Sequence, residues 1–342
     1  MPKPLEGNLV NSKLHLYDVT LRDGNHALRH TLSSKFVSDY CQIADNSDVW
    51  AVEVGHGNGL GASSFLVGKS SENDIELLTV ARLNLTKTKL AVHAIPGFAT
   101  IKRDLIPALA CGVDIFRIAT HSTEATTAQK HIEFLCNRDA TVHGVLMMSH
   151  MNDISGLISQ SKLMQSYGAK AVILMDSAGY FLPNDVRERV DAIKNALDIE
   201  VGFHAHNNLG IAISNAGQAI QSGASIVDGA SMGLGAGAGN AQLENIVSTG
   251  IRNKSIDADI SKFLEMSQKV ESEYPDKLPL VTSSSIQSGM AGVFSGYAPQ
   301  VKLISEELGV NPQTLWEEIS RRKLVAGQES MVREIAQDLM NL

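Results

Sequence analysis

An α/β architecture, a closed TIM-type (β/α)8 barrel followed by a helical carboxyl-terminal domain, is what the sequence predicts, on three observations. Short apolar or β-branched runs recur at residues 14–20, 49–54, 90–95, 115–118, 141–148, 171–175, 200–204 and 225–227, with amphipathic stretches of helical period between most of them. Eight such repeats fit the roughly 250 residues of a barrel better than an open doubly wound sheet, which stays as the alternative. Beyond about residue 250 the pattern turns helical, around 260–274, 284–294, 301–308, 312–321 and 331–340. The expected division is therefore a barrel at 1–255 and a helical domain at 256–342, with the seam near 253–259.

Taken in order, the strands end in polar residues. The first runs into Asp18 to His26, the second into Glu53-Val-Gly-His56, and the fourth into His121. The fifth ends at Ser149-His150, the sixth at Asp176-Ser177, the seventh at His204-Ala-His206 and the eighth at Asp228-Gly229. In a barrel the carboxyl ends of the strands form one face, where active sites are assembled, so these residues converge. The loop at 273–279 carries Pro275 and Pro279 and separates helices.

Composition narrows the function classes. Hydrophobic residues at 44% and charged residues at 19% leave ample apolar side chains for a large core and exclude a disordered chain. A formal net charge of -8, with no basic run, argues against nucleic acid. No stretch reaches the roughly 18 apolar residues of a membrane span and the amino terminus lacks a signal-peptide core, so a cytoplasmic protein is expected. Cys41, Cys111 and Cys136 lack metal-site or disulfide-framework spacing and are expected to be reduced thiols.

The chemistry concentrates in two segments, Asp18-Val-Thr-Leu-Arg-Asp-Gly-Asn-His26 and Gly202-Phe-His-Ala-His-Asn-Asn208. His204 and His206 are two apart, so on a strand both side chains point the same way. With Asp23 they offer two imidazoles and a carboxylate with coordination positions left open, suited to Mn²⁺, Fe²⁺, Co²⁺ or Zn²⁺. A lone H-x-H is as often structural, and its weight here comes from the partner segment. Arg22 supplies a permanent planar cation and His26 a base that titrates near neutrality, where the bland reading is a surface ion pair followed by a turn. Asp18, inside the strand, is a candidate to orient Arg22 or a ligand histidine. His56, His121, His143 and His150 are expected to be structural or supporting, with His121 placed to touch substrate. The G-x-G-x-x-A pattern at 233–238 has no complete βαβ unit ahead of it and reads as a tight barrel-closing loop.

These two segments, together with Glu53-Val-Gly-His-Gly-Asn-Gly-Leu-Gly-Ala-Ser-Ser-Phe65, Leu146-Met-Met-Ser-His-Met151, Met175-Asp-Ser-Ala-Gly179, Gly233-Leu-Gly-Ala-Gly-Ala-Gly-Asn240 and Val325-Ala-Gly-Gln-Glu-Ser-Met331, resemble the metal-dependent pyruvate aldolases typified by 4-hydroxy-2-oxovalerate aldolase. The wider barrel group includes hydroxymethylglutaryl-CoA lyase and isopropylmalate synthase. The resemblance covers almost the whole chain and implies that Asp23, His204 and His206 bind a divalent ion, manganese first, magnesium or cobalt next. It further implies that Arg22 sits by the keto oxygen, His26 is the catalytic base, and Ser177 contacts the pyruvate moiety. The implied partners are a 2-oxo acid, an aldehyde and an acylating aldehyde dehydrogenase docked on the helical domain, in an oligomeric assembly.

The chain departs from that family at Ala291-Gly-Val-Phe-Ser-Gly-Tyr297, where Phe294 aligns with an active-site tyrosine. If the segment is helical, Tyr297 shares its face and is a candidate to supply the hydroxyl. A larger aldehyde than acetaldehyde is a further expectation. Two alternatives remain at this point: a Claisen-type acyl-CoA lyase or synthase of the same barrel group, and a non-catalytic subunit of an aldolase–dehydrogenase complex.

Overall fold

The structure, a computed structural model, describes residues 14–325, 328 and 330–341. The amino-terminal expectation, on 1–13, and three positions of the 325–331 motif (326, 327 and 329) lie outside the described residues.

Eight parallel strands close a barrel in chain order: β1 His15–Asp18, β2 Ala51–Glu53, β3 Lys89–Ala94, β4 Ile115–His121, β5 Thr141–Met147, β6 Ala171–Asp176, β7 Glu200–Ala205 and β8 Ile226–Gly229. Closure rests on β8 pairing back to β1 in the register His15↔Ile226 to Asp18↔Gly229, which removes the open-sheet alternative. Every strand expected from the apolar runs is present, because a parallel strand buried on both faces reads as a short continuous apolar segment.

Strand parity divides the core in two. In β4, Phe116 and Ile118 pack outward against the helices, while Ile115, Arg117 and Ala119 point into the lumen. The lumen is lined by small residues, Ala51, Ala91, Ala119, Ala171 and Ala230, alongside Ile115, Val145 and Ile173. Barrel interiors are usually filled by branched apolar side chains. Here the alanines leave volume for Tyr17 and Arg117, both fully buried.

Local signals set the helix starts. Ser33 accepts the Phe36 N–H at the head of helix Ser34–Ala44, and Asn73 with Glu76 forms a capping box on Asp74–Asn84. The carboxylate of Asp74 also accepts the backbone N–H groups of His56 (3.1 Å) and Gly61 (2.9 Å), pinning the loop after β2.

The helix Ile260–Glu273, which follows the expected seam, buries Phe263, Met266 and Val270 in the barrel's outer core. The separate helical core starts at Val293 and gathers Val301, Ile304, Leu315, Trp316, Ile319, Val332 and Ile335 from helices Ala298–Leu308, Pro312–Arg321 and Met331–Met340. Among the described residues no helix is long and apolar enough to cross a membrane.

The helical part is tied to the barrel's carboxyl-terminal face. Asn208 Nδ2, two residues past His206, donates to Ser288 Oγ at 2.8 Å and Ser295 Oγ at 2.6 Å, and His150 Nε2 lies 2.8 Å from the Gly292 carbonyl oxygen. This places the 291–297 segment over the strand ends. A cavity of about 800 Å³ lies at the other end of the barrel, lined by strand starts such as Val49, Trp50 and Thr88.

Candidate active site

After β1 the chain turns tightly, with Asp23 N donating to the Val19 carbonyl at 2.8 Å, and enters the short helix Gly24–Ala27. This turn presents Arg22 and Asp23 to the barrel mouth. His204 near the end of β7 and His206 one residue past it point the same way, as their spacing requires, with ring centroids 5.0 Å apart. The three meet: His204 Nε2 is 3.9 Å and His206 Nε2 is 3.8 Å from Asp23 Oδ2. One donor atom from each of the three lies within 4.8 Å of the others.

The donor set fits a divalent ion. Two donors each about 2.2 Å from one ion can stand up to roughly 4.4 Å apart, which accommodates both distances. His204 Nε2 is buried and has no hydrogen-bond partner. Such an atom is costly to bury unless something else engages it. Burial alone would raise the Asp23 carboxyl, but Arg22, His206, His26 and His204 together hold it well below the usual carboxylate range, so it is ionised. Burial pushes His206 down to about 4, which leaves a neutral imidazole at neutral pH.

His204 has a defined tautomer. Its Nδ1 is 2.9 Å from Asp228 Oδ2, and Asp228 also takes both terminal nitrogens of Arg117, at 2.6 and 2.8 Å. Burial would raise the Asp228 carboxyl; Arg117 and His204 hold it well below its ordinary value. An ionised carboxylate cannot donate, so the proton sits on Nδ1 and the Nε2 lone pair faces Asp23.

Arg22 is fixed on three sides. Its Nε donates to Glu53 Oε1 at 2.5 Å, and its Nη1 donates to Asp23 Oδ2 at 2.8 Å and the Gly57 carbonyl at 3.2 Å. Its Nη2 is buried with no partner, a cationic donor left over for a ligand. His26 packs over Gly57, where an added Cβ would lie 2.7 Å from the imidazole. Burial lowers His26 to about 4 despite the nearby Asp23, so it is neutral and able to accept a proton.

The remaining expected residues separate. Ser177, on the loop after β6, accepts the Met148 N–H at 3.0 Å through its hydroxyl oxygen, leaving its own proton to donate. Tyr297 is a correction. Phe294 has φ -58° and ψ 133°, so the segment is not helical there and the two rings do not share a face. Tyr297 is instead fully buried in the helical core, with its hydroxyl donating to the Val325 carbonyl at 2.5 Å. Phe294 is the residue that turns to the site, its ring edge-on to His206 at 6.5 Å and 82°.

Asp18 is a second correction, because it touches neither Arg22 nor a ligand histidine. It accepts from Thr20 N at 2.8 Å and Tyr40 Oη at 2.6 Å, a structural clasp in which burial pushes the carboxyl up to about 6. Glu53 takes the Arg22 Nε–H and Asp228 meets His204 Nδ1, and Arg117, absent from the expected site residues, donates to Asp228. A charged residue inside Ile115-Phe-Arg-Ile-Ala119, a strand buried on both faces, demands a buried countercharge, and that signal was available.

The glycine-rich loop closes the barrel as expected and also cradles Asp23. Ala236 N donates to Asp23 Oδ1 at 3.4 Å, and a Cβ on Gly235 would lie 2.3 Å from Asn240 Nδ2 and 2.9 Å from Asp23 Oδ1. His56 and His150 engage the Gly68 and Gly292 carbonyl oxygens, and His143 stacks on Trp50, so these three are structural. Lys170 lies just before β6, at the end opposite the site.

Fold and site together define an HMGL-like barrel enzyme with an appended helical domain: the HMGL-like family model matches residues 13–270, and the DmpG-like communication domain matches 279–341. The chain is 47% identical to a 4-hydroxy-2-oxovalerate aldolase of Pectobacterium atrosepticum over 96% of each chain, and 47% identical to one of Spirochaeta aurantia over 94% of this chain and 95% of that one. The chain belongs to the 4-hydroxy-2-oxovalerate aldolase family. In fold it also resembles the carboxyl transferase domain of Rhizobium etli pyruvate carboxylase solved with pyruvate, at a TM-score of 0.78 and 16% identity, covering 97% of this chain and 61% of that one.

Proposed function

We propose that the protein is a divalent-metal-dependent aldolase that cleaves or forms a 4-hydroxy-2-oxo acid, 4-hydroxy-2-oxovalerate or an analogue, to or from pyruvate and an aldehyde. The observation that carries this reading is the juxtaposition of the Asp23, His204 and His206 donors with the unpartnered Nη2 of Arg22. Breaking the C3–C4 bond leaves a pyruvate enolate whose oxygen gains negative charge as the bond lengthens. A bound divalent cation, manganese in this reading, supplies Lewis-acid stabilisation of that charge. Arg22 adds a fixed cationic donor to the same oxygen, held in place beforehand by Glu53 and Asp23.

His26 takes the C4 hydroxyl proton in cleavage and returns it in synthesis, a role open to it because it is neutral. Ser177 donates its free hydroxyl proton to the pyruvate carboxylate. Phe294 gives the aldehyde end an apolar wall beside His206, in keeping with an aldehyde larger than acetaldehyde. In this reading the barrel, 1–255, is catalytic. The helices beyond it dock an acylating aldehyde dehydrogenase that consumes the aldehyde, supported by the communication-domain match at 279–341.

The test is Mn²⁺-dependent pyruvate release from racemic 4-hydroxy-2-oxovalerate and from longer-chain analogues, coupled to lactate dehydrogenase, with His204→Ala and His26→Ala as controls. Metal-dependent turnover that both variants lose is the expected result. Absence of turnover on every analogue by a protein that binds Mn²⁺ would overturn it.

A further inference from the structure

Six side chains in the barrel lumen form a closed ring in which the carboxylates of Asp23, Glu53 and Asp228 alternate with Arg22, Arg117 and His204. From Asp23 it runs to Arg22 at 2.8 Å, to Glu53 at 2.5 Å and to Arg117 at 3.8 Å. From Arg117 it runs to Asp228 at 2.6 Å, to His204 Nδ1 at 2.9 Å and back to Asp23 at 3.9 Å. All six are buried. The Arg117 guanidinium lies 3.3 Å from the centre of the Tyr17 ring, whose hydroxyl donates to Glu53 Oε2 at 3.0 Å.

We propose that Arg117 is a positioning residue shared by the two halves of the site, holding His204 through Asp228 and Arg22 through Glu53, so that the metal ligand and the pyruvate-binding cation are oriented as one unit. This rests on the aldolase reading above. The physical ground is that a ligating histidine is aimed by the group on its other nitrogen, and a guanidinium by the carboxylate it donates to. Arg117 donates to Asp228 through both terminal nitrogens, and its Nε stands 3.8 Å from Glu53 Oε2 as an ion pair without a hydrogen bond. Neither carboxylate could stay ionised at 0% exposure for Glu53 and 2% for Asp228 without a buried cation. The Tyr17 ring blocks one face of the guanidinium.

The inference is tested by binding rather than turnover. Mn²⁺ is titrated into metal-free wild type, Asp228→Asn, Glu53→Gln and Arg117→Lys, with free ion followed by electron paramagnetic resonance. Oxamate, a non-reacting isostere of pyruvate, is then titrated by calorimetry into the Mn²⁺-loaded proteins. Asp228→Asn keeps an acceptor for Nδ1–H but loses the charge, and should weaken Mn²⁺ about 10–100-fold at a temperature where the metal-free variant is still folded. Glu53→Gln should weaken oxamate more than Mn²⁺, and Arg117→Lys should weaken both. Folded Asp228→Asn and Arg117→Lys proteins that bind both ligands like wild type would overturn the inference alone. Should Arg117→Lys fail to fold, unchanged Mn²⁺ affinity in Asp228→Asn overturns it by itself. A wild type that binds no Mn²⁺ would overturn the inference and the metal reading together.

Discussion

Arg22 and His26 do different jobs with similar surroundings. Both lie beside Asp23, yet buried Arg22 remains a cation because Glu53 and Asp23 face it, whereas desolvation keeps half-buried His26 neutral. Replacing Arg22 by Met should remove the one donor aimed at the developing enolate oxygen and lower kcat by about 10²–10³-fold, the usual loss for an oxyanion donor. Steady-state kinetics with saturating Mn²⁺ would check this, and a change confined to KM would mean that Arg22 only binds substrate. Phe294→Tyr places a hydroxyl on the phenyl ring that meets His206 edge-on. The expected outcome is a shift of kcat/KM toward the shorter aldehyde, read from a panel of aldehydes in the synthetic direction; an unchanged ranking would remove Phe294 from the aldehyde pocket.

Loops and strand ends, rather than whole elements, carry the precision of the site. The glycine-rich loop after β8 approaches Asp23 so closely that Gly235 has no room for a side chain, although its backbone conformation would allow one. Gly235→Ala should therefore displace Asp23 or Asn240, costing about 1–3 kcal/mol of stability and weakening Mn²⁺ binding. Wild-type metal affinity in that variant would show that the loop yields without moving the carboxylate. Asn208 works at the opposite boundary, fastening the β7 loop to the helical domain through Ser288 and Ser295. Truncation to Ala removes the donor to both serine oxygens, while Ser288 keeps its bond to the Ser285 carbonyl. A loss of about 1–3 kcal/mol by denaturant unfolding is expected, with no loss if the helical domain is held by apolar packing alone.

At the level of the whole molecule, the many buried imidazoles give stability a defined pH dependence. Burial lowers His26, His150 and His206 to about 4, and His30, His93 and His143 to about 3. The unfolded chain titrates these groups near 6.5, so as pH falls below that value it binds protons that the folded protein refuses, and stability drops. Asp18, Asp176 and Glu244 oppose this, since burial raises them to about 6, 7 and 7, and their contribution is lost as pH rises through those values. The histidines outnumber them. The unfolding midpoint of the metal-free protein should therefore fall between pH 6.5 and pH 4.5, and a flat or rising midpoint over that range would contradict the burial of these rings.

Strand positions, helix positions and the shared face of His204 and His206 were readable along the chain, because periodicity and an i, i+2 spacing are local properties, whereas the approach of Asp23 to them was an expectation from converging strand ends and the family resemblance. Tyr297 was misplaced by the same kind of reasoning, since whether residues 294–297 are helical depends on how the segment folds over the barrel mouth. Closure of β8 onto β1, the edge of Phe294 on His206, and the ring through Glu53, Arg117 and Asp228 came only from the folded molecule. Arg117 and Asp228 are 111 residues apart. No local pattern can say which buried carboxylate answers a buried arginine; that depends on strand register around a closed barrel, where one residue's shift turns every side chain from the lumen to the helices.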